Sequence, residues 1–176
     1  MLEISQIIKQ EKLTRNQLRD IIKAEAKNIH MKDIMLAAVF LRDDAKYMPK
    51  SYREDYVERF SKAFFLRIKE LKEDKNNYIG YVNIKKLKEF LKILDQQNNN
   101  AKGNNEKCFV KIAQIIAIYT TFVREEPIHP LGTQFPGGFI LYYKNKTYFC
   151  PVKERQLKNP YALCKFCVSI QNNNVI

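Results

Sequence analysis

A cluster of glycines and prolines divides this chain into two unequal parts. Of the 11 glycine and proline residues in 176, six fall between positions 127 and 138. They are Pro127, Pro130, Gly132, Pro136, Gly137 and Gly138. Proline removes a backbone donor and glycine weakens regular structure, so these positions exclude a continuous helix. We therefore predict an α-helical body over residues 1–126 and a tail of different architecture over residues 127–176.

The apolar periodicity of residues 1–126 is typical of successive amphipathic helices. Thr14 with Gln17 and Ser51 with Glu54 have the spacing of capping boxes, and Asn83 is a further helix cap. The six predicted helices cover about residues 4–13, 14–29, 32–47, 51–71, 83–94 and 106–124. A polar, asparagine-rich loop is expected between the last two. The fold class is therefore mainly α.

The tail is expected to contain a small β-hairpin rather than helices. Residues 139–143 and 147–152 are β-prone and flank the turn sequence Lys144-Asn145-Lys146. We interpret residues 135–138 as a turn that leads into this hairpin, and residues 151–160 as a basic polar loop. Cys164 and Cys167 follow as a knuckle before a short terminal element.

Three of the four cysteines lie in the tail, and they form the pattern His-x20-Cys-x13-Cys-x2-Cys with His129. This pattern supplies four borderline-soft donors, which is the composition of a closed tetrahedral zinc site. About 50 residues with one hairpin bury too little surface to order a long loop, so a structural metal would stabilise them. We predict Zn²⁺ bound by His129, Cys150, Cys164 and Cys167.

Other interpretations of the same residues stay open. Cys108 is an alternative fourth ligand, and a site of four cysteines would make an iron–sulfur cluster a serious competitor to zinc. Cys164 and Cys167 are also compatible with a redox dithiol. A third class is a zinc-dependent hydrolase in which His129 or Glu126 acts on bound water. His30, at the start of a helix, is expected to be structural.

The charge balance favours an anionic partner. The formal net charge is +12, and the tail carries six basic residues against Glu154 alone. Such an excess attracts polyanions such as RNA or DNA. The alternative is a set of solvated lysine-rich faces, because the basic residues form no blocks.

The remaining sequence signals are absences. There is no run of 18 apolar residues and no apolar signal segment after Met1, so we expect a cytoplasmic protein without a membrane span. Thiols stay reduced in that compartment, which favours metal or redox chemistry over structural disulfides. No P-loop, Rossmann fingerprint, nucleophile elbow or His-Glu-x-x-His motif is present.

Three stretches of the tail together resemble a known family. They are the decapeptide from His129 to Gly138 (HPLGTQFPGG), the run Tyr148-Phe149-Cys150-Pro151-Val152-Lys153, and Ala162-Leu163-Cys164-Lys165-Phe166-Cys167. They look like an uncharacterised archaeal family found mainly in methanogens, domain of unknown function 2115 (uncharacterised protein family 0305). The resemblance is sharp over residues 129–167 and loose over the helices. It implies a cytoplasmic archaeal setting and favours His129 over Cys108 as the fourth ligand, but it implies no activity.

Overall fold

The computed structural model describes residues 11–135 and 137–172, and within them the chain is mainly helical. The helices are α1 (Arg15–Lys27), α2 (Met31–Asp44), α3 (Lys50–Glu73), α4 (Ile84–Asn100), α5 (Gly103–Ile118) and α6 (Lys153–Leu157). Short 3-10 turns cover Ala45–Tyr47 and Leu163–Lys165, and a π-helix covers Tyr119–Arg124. The strands are β1 (Gln134–Phe135), β2 (Phe139–Ile140), β3 (Tyr142–Lys144), β4 (Thr147–Cys150) and β5 (Ile170–Gln171).

Two of the predicted helix starts are confirmed in detail. The Thr14 hydroxyl accepts a hydrogen bond from the Gln17 N–H at 3.1 Å, and the Gln17 side chain accepts one from the Thr14 N–H at 2.8 Å. At the start of α4, the Asn83 side chain accepts the N–H of Lys86 at 2.9 Å. These caps satisfy backbone donors that have no partner within the helix.

The predicted capping box at Ser51 is wrong, because α3 begins one residue earlier with Pro49 as its N-cap. The Pro49 carbonyl accepts the N–H groups of Tyr52 and Arg53, at 3.0 and 3.2 Å. Proline has its φ fixed near helical values and needs no N–H partner, so it starts a helix without a capping side chain. Ser51 therefore lies inside the first turn.

The predicted polar loop around residues 96–105 is also wrong. Helix α4 continues to Asn100, and α5 starts at Gly103. Tertiary hydrogen bonds explain the longer helix, since Gln97 donates to the Tyr161 carbonyl at 3.2 Å and Gln114 donates to the Leu94 carbonyl at 2.6 Å. Such contacts outweigh the low helix propensity of asparagine.

The core lies between the helices of the body. Helix α2 packs mainly on α5, and α1, α3 and α4 also contact α5. The apolar faces of the helices supply a single cluster of buried side chains that includes Leu18, Leu41, Phe90 and Ile115. After α5 the helix widens into the π-helix and ends at Glu125, which has a left-handed φ of 56°. This end is held by Arg15, whose Nε donates to the Val123 carbonyl at 2.8 Å.

The tail forms two very small sheets. Strands β1 and β2 pair as a hairpin, and β3 pairs antiparallel with β4, as predicted for the hairpin around residues 144–146. Asn145 and Lys146 both have positive φ, 51° and 59°, which is the conformation of a two-residue type I′ turn. Residue 141 separates β2 from β3, and its backbone bonds to Gly132 and Thr133 instead.

Two features of the tail were not predicted. The basic loop expected over residues 151–160 contains the short helix α6, because Val152 accepts the N–H of Gln156 at 3.2 Å and starts a turn between two prolines. Strand β5 adds to the hairpin in parallel, with Phe149 opposite Ile170. The terminal element expected after the knuckle is therefore a strand.

The body and the tail meet at Phe166. Its ring is 2% exposed and stands edge-on to the ring of Phe90 with the centroids 5.1 Å apart. Among the described residues, Phe166 is the tail member of the buried cluster of the body. The predicted first helix, which rests on Ile4, Ile7 and Ile8, lies outside the described residues. No helix within the described ranges is long and apolar enough to cross a membrane.

Candidate functional site

A cavity of about 620 Å³ lies between the body and the tail. One wall comes from α3 and α5, and the opposite wall comes from the segments that follow β4. All four predicted ligands, His129, Cys150, Cys164 and Cys167, lie on its surface. The four residues thus share a cavity, and their role as a ligand set stays a prediction.

The three cysteines reach this cavity from different elements. Cys150 is the last residue of β4 and is buried. Cys164 lies in the 3-10 turn, and Cys167 is the second residue after the end of that turn. The Cys167 N–H donates to the Cys164 carbonyl at 3.2 Å, so the two-residue spacing forms a tight turn. The Cys167 thiol contacts the Ser169 hydroxyl at 3.5 Å.

The thiols are close enough to influence one another. Burial, together with the neighbouring Cys167 and Cys150, raises the pKa of Cys164 to about 11. Burial also raises the pKa of Cys150, while hydrogen bonds from the backbone N–H groups of Val152 and Lys153 oppose that rise. These N–H groups reduce the cost of a thiolate at Cys150, but the net shift of its pKa is upward because burial dominates.

Lys153 connects the cysteine-bearing segments. Its ammonium group donates to the Cys167 carbonyl at 2.8 Å and to the Ser169 carbonyl. It also acts to lower the pKa of Cys150 and Cys164 through its charge. The side chain thus holds the knuckle against the end of β4 and provides positive charge beside the thiols.

His129 occupies a different part of the cavity surface. Its ring stands edge-on between the rings of Phe60 and Phe135, at centroid distances of 5.7 and 5.5 Å. Burial lowers the pKa of His129 to about 4, so the imidazole is neutral at pH 7. A neutral imidazole is the form that binds a metal. Its ring nitrogens have no hydrogen-bond partner within the described part of the chain.

The side chains are neighbours rather than a preformed coordination shell. Nowhere in residues 11–135 and 137–172 do three histidine, cysteine, aspartate or glutamate side chains come together in a group able to hold a metal ion. The proposed ligand set of His129, Cys150, Cys164 and Cys167 thus remains a prediction. Zinc and the iron–sulfur alternative remain predictions in the same way.

The other candidate residues lie elsewhere. The Cys108 thiol is 3.9 Å from the Asp33 carboxylate, and Cys108 does not line the cavity. Glu126 forms ion pairs with Arg67 at 2.8 Å and Arg124 at 2.6 Å. His30 is the N-cap of α2 and its N–H donates to Asp33 at 2.8 Å, as expected for a structural residue.

The sequence interpretation missed the residues that surround the thiols. Lys153 falls within the predicted basic loop, although it lies only three residues after Cys150 and begins the short helix α6. The apolar stripe of α3 predicts core contacts for Tyr56, Phe60 and Phe64. Phe64 belongs to the buried cluster and the other two pack against it, but all three also line the cavity. Helical spacing alone does not separate a core face from a cavity wall.

Comparison with known proteins identifies relatives in methanogens. The profile of a family described as an uncharacterised protein conserved in archaea, DUF2115, matches residues 14–172. A UPF0305 protein of Methanothermobacter thermautotrophicus is 53% identical over 163 residues, which cover 93% of this chain and 99% of the relative. A UPF0305 protein of Methanocaldococcus jannaschii is 33% identical over 154 residues, covering 86% of this chain and 93% of the relative. No solved structure matches the chain.

Proposed function

We propose that this chain, which belongs to the DUF2115 family of uncharacterised archaeal proteins, binds one Zn²⁺ that orders its tail. The ligands would be Cys150, Cys164 and Cys167, with His129 as the fourth. The observation that carries the proposal is that Cys150 of β4 and the Cys164–Cys167 turn, which are distinct segments of the tail, line the same cavity. The names of the relatives state no activity, so the proposal rests on this chain's own residues.

The electrostatics of the thiols support a cation. Burial and mutual repulsion raise the pKa of Cys164, and burial raises that of Cys150 although backbone N–H groups and Lys153 oppose the rise. A bound divalent cation would offset the cost of forming the thiolates of Cys164 and Cys150, because coordination to a metal deprotonates a thiol. Zinc suits such donors, since it takes sulfur and nitrogen ligands without a preference for a rigid geometry.

Zinc binding requires the side chains to move toward a common point. The 3-10 turn is short and its cysteines are only half-buried, so rotation of their side chains displaces little of the core. The binding free energy would then contribute to folding of the tail, as in small zinc domains. The metal in this proposal has a structural role.

The proposal includes a basic outer surface on the tail. Lys144, Lys146, Arg155, Lys158 and Lys165 are all exposed, and none forms a salt bridge with another described residue. Unpaired surface cations favour contact with an anionic partner such as nucleic acid. Binding of RNA or DNA that weakens steeply with added salt would support this part, and binding that ignores salt would contradict it. The cytoplasmic location remains a prediction.

Metal analysis of protein purified without oxygen tests the central point. We expect about one equivalent of zinc per chain, and its loss in Cys164→Ser. The matched control is Cys108→Ser, which removes a thiol of the same chain outside the cavity and should retain the metal. Substitution by cobalt(II) would give the visible spectrum of a tetrahedral thiolate site.

The alternatives give different results in the same measurement. Brown protein that contains iron and inorganic sulfide would indicate an iron–sulfur cluster instead of zinc. Protein without metal, in which Cys164 and Cys167 form a reversible disulfide, would indicate a redox dithiol. Equal metal content in wild type and Cys164→Ser would show that no metal site exists at these residues.

A further inference from the structure

The cavity itself has the features of a binding site for a small organic molecule. Its volume of about 620 Å³ lies within the range of known small-molecule pockets, roughly 300–1,000 Å³. The thiols occupy only part of its surface, and the rest consists of two chemically distinct regions. These regions define the kind of molecule that fits.

The inner wall is aromatic. Tyr56, Phe60 and Phe64 follow one another at four-residue spacing on α3, with ring centroids 4.5 and 6.4 Å apart. Phe109 of α5 continues the row, 5.6 Å from Phe64. A continuous row of ring faces and edges favours a flat apolar group, since aromatic pairs prefer offset and edge-on contacts.

The outer rim is basic and polar. Lys153 and Arg155 from α6 line it together with Gln156 and Asn159, and none of the described residues that line the cavity is Asp or Glu. The ammonium group of Lys153 uses two of its three donors on backbone carbonyls, which leaves one. The Arg155 guanidinium is exposed and forms no hydrogen bond or ion pair with another described residue.

From these two regions we infer that the cavity binds a flat, largely apolar organic anion. The apolar part contacts the row of rings on α3, and the carboxylate or phosphate group faces Arg155 and Lys153 at the rim. An arginine is suited to this task because its planar fork matches a carboxylate or phosphate. This inference does not depend on zinc, because neither the aromatic wall nor the basic rim includes any of the three cysteines.

Calorimetric titration with three matched probes tests the inference. Naphthoate and naphthyl phosphate carry the anionic group, and the neutral amide naphthamide has the same ring system. We expect either anion to bind wild-type protein at least several-fold more tightly than naphthamide, and the stronger of the two identifies the anionic group. Equal binding of all three probes, or no binding of any, would overturn the inference.

Two variants locate the site. Arg155→Ala should weaken anion binding by roughly fivefold and leave naphthamide unchanged, because exposed ion pairs are modest. Its control is Lys158→Ala, which removes an exposed cation of the same segment outside the cavity lining and should bind as wild type does. Equal effects of the two substitutions would indicate only general attraction to a basic surface and would refute the assigned site.

A cavity-filling variant provides an independent check. Ala162 is half-buried and lines the cavity, so Ala162→Trp should abolish binding of anions and naphthamide alike. Unchanged binding by a folded Ala162→Trp protein would place the probes elsewhere and overturn the inference. Should this variant fail to fold, the Arg155 and Lys158 comparison still decides. Zinc content should be measured on the same samples. The comparison of Arg155→Ala with Lys158→Ala changes no thiol, so the proposals of zinc binding and of anion binding can fail independently.

Discussion

The body and the tail of this protein are ordered by different means. The body buries the apolar faces of long helices in one cluster, so each helix is stabilised by several others. The tail has strands of two to four residues and a helix of five, and it contributes Phe166 to that cluster. Strands this short are not stable on their own. The difference shows that the tail depends on the body and on its own cross-connections, whereas the body supplies its own core.

The largest expected effect concerns the point where the two regions meet. Phe166→Ala should lower the free energy of unfolding by about 3–5 kcal/mol, the usual cost of removing a buried phenylalanine. Urea denaturation followed by circular dichroism would measure it. Hydrogen exchange should show earlier loss of protection in the tail than in α4.

The control for this prediction is Phe139→Ala. Phe139 lies in β2 and is 37% exposed, so its removal should cost less than about 1 kcal/mol. Similar losses in the two variants would mean that the body and the tail do not share a core at Phe166.

A second prediction addresses the body alone. The Asp74 carboxylate accepts hydrogen bonds from the Tyr119 hydroxyl at 2.7 Å and the Tyr78 hydroxyl at 2.9 Å. Burial alone raises the pKa of Asp74, but these hydrogen bonds and the N–H of Asn76 lower it more, and the net shift is downward. Asp74→Asn should cost about 1–3 kcal/mol at neutral pH, since it weakens hydrogen bonds to a charged group.

The pH dependence follows from the direction of the shift. A carboxyl whose pKa is lower in the folded state stabilises fully above its unfolded pKa, near 3.9, and loses that contribution as the pH falls through the folded value. The stability difference between wild type and Asp74→Asn should therefore be constant near pH 7 and shrink below about pH 4. Asp20→Asn, at an exposed ion pair with Arg19, should change stability little. A difference that grows toward acid pH would contradict the assigned role.

The smallest prediction concerns the tail alone and has the opposite sign. Lys146 has a φ of 59°, a left-handed conformation that glycine adopts without strain. Lys146→Gly should raise stability by about 0.5 kcal/mol, because relief of the strain exceeds the added entropy of glycine. Thermal melting of the hairpin signal would detect it. Lys146→Ala removes the same charge without relieving the strain, and an equal gain there would attribute the effect to charge.

Sequence reasoning succeeded where the cause is local. Thr14 with Gln17 and the cap at Asn83 are short-range hydrogen-bonding patterns, and the structure confirms both. The turn at Asn145 and Lys146 is local in the same sense. The mainly helical fold with a small β region follows from such patterns, and the family assignment agrees with the resemblance in the tail.

The errors have tertiary causes. Helix α4 continues through its glutamines and asparagines because Gln97 reaches the backbone of Tyr161, 64 residues away. Strand β5 forms because Ile170 meets Phe149 in a parallel pair, which no local pattern encodes. For the site, the spacing of Cys150, Cys164 and Cys167 predicts a common ligand set, and this stays a prediction. The cavity that they line was not predictable, because its surface combines α3, α5 and the tail, which are far apart in the sequence.

The position of Phe166 between Cys164 and Cys167 links the thiols mechanically to the helices. Lys165 is exposed, while the next residue is locked against Phe90, whose ring in turn stands edge-on to Phe122 of the π-helix at 5.1 Å. Phe166 belongs to the two-residue spacer, and its ring is buried among the helices. A change in conformation at Cys164 or Cys167 would therefore have to move Phe166 against the buried cluster of the body.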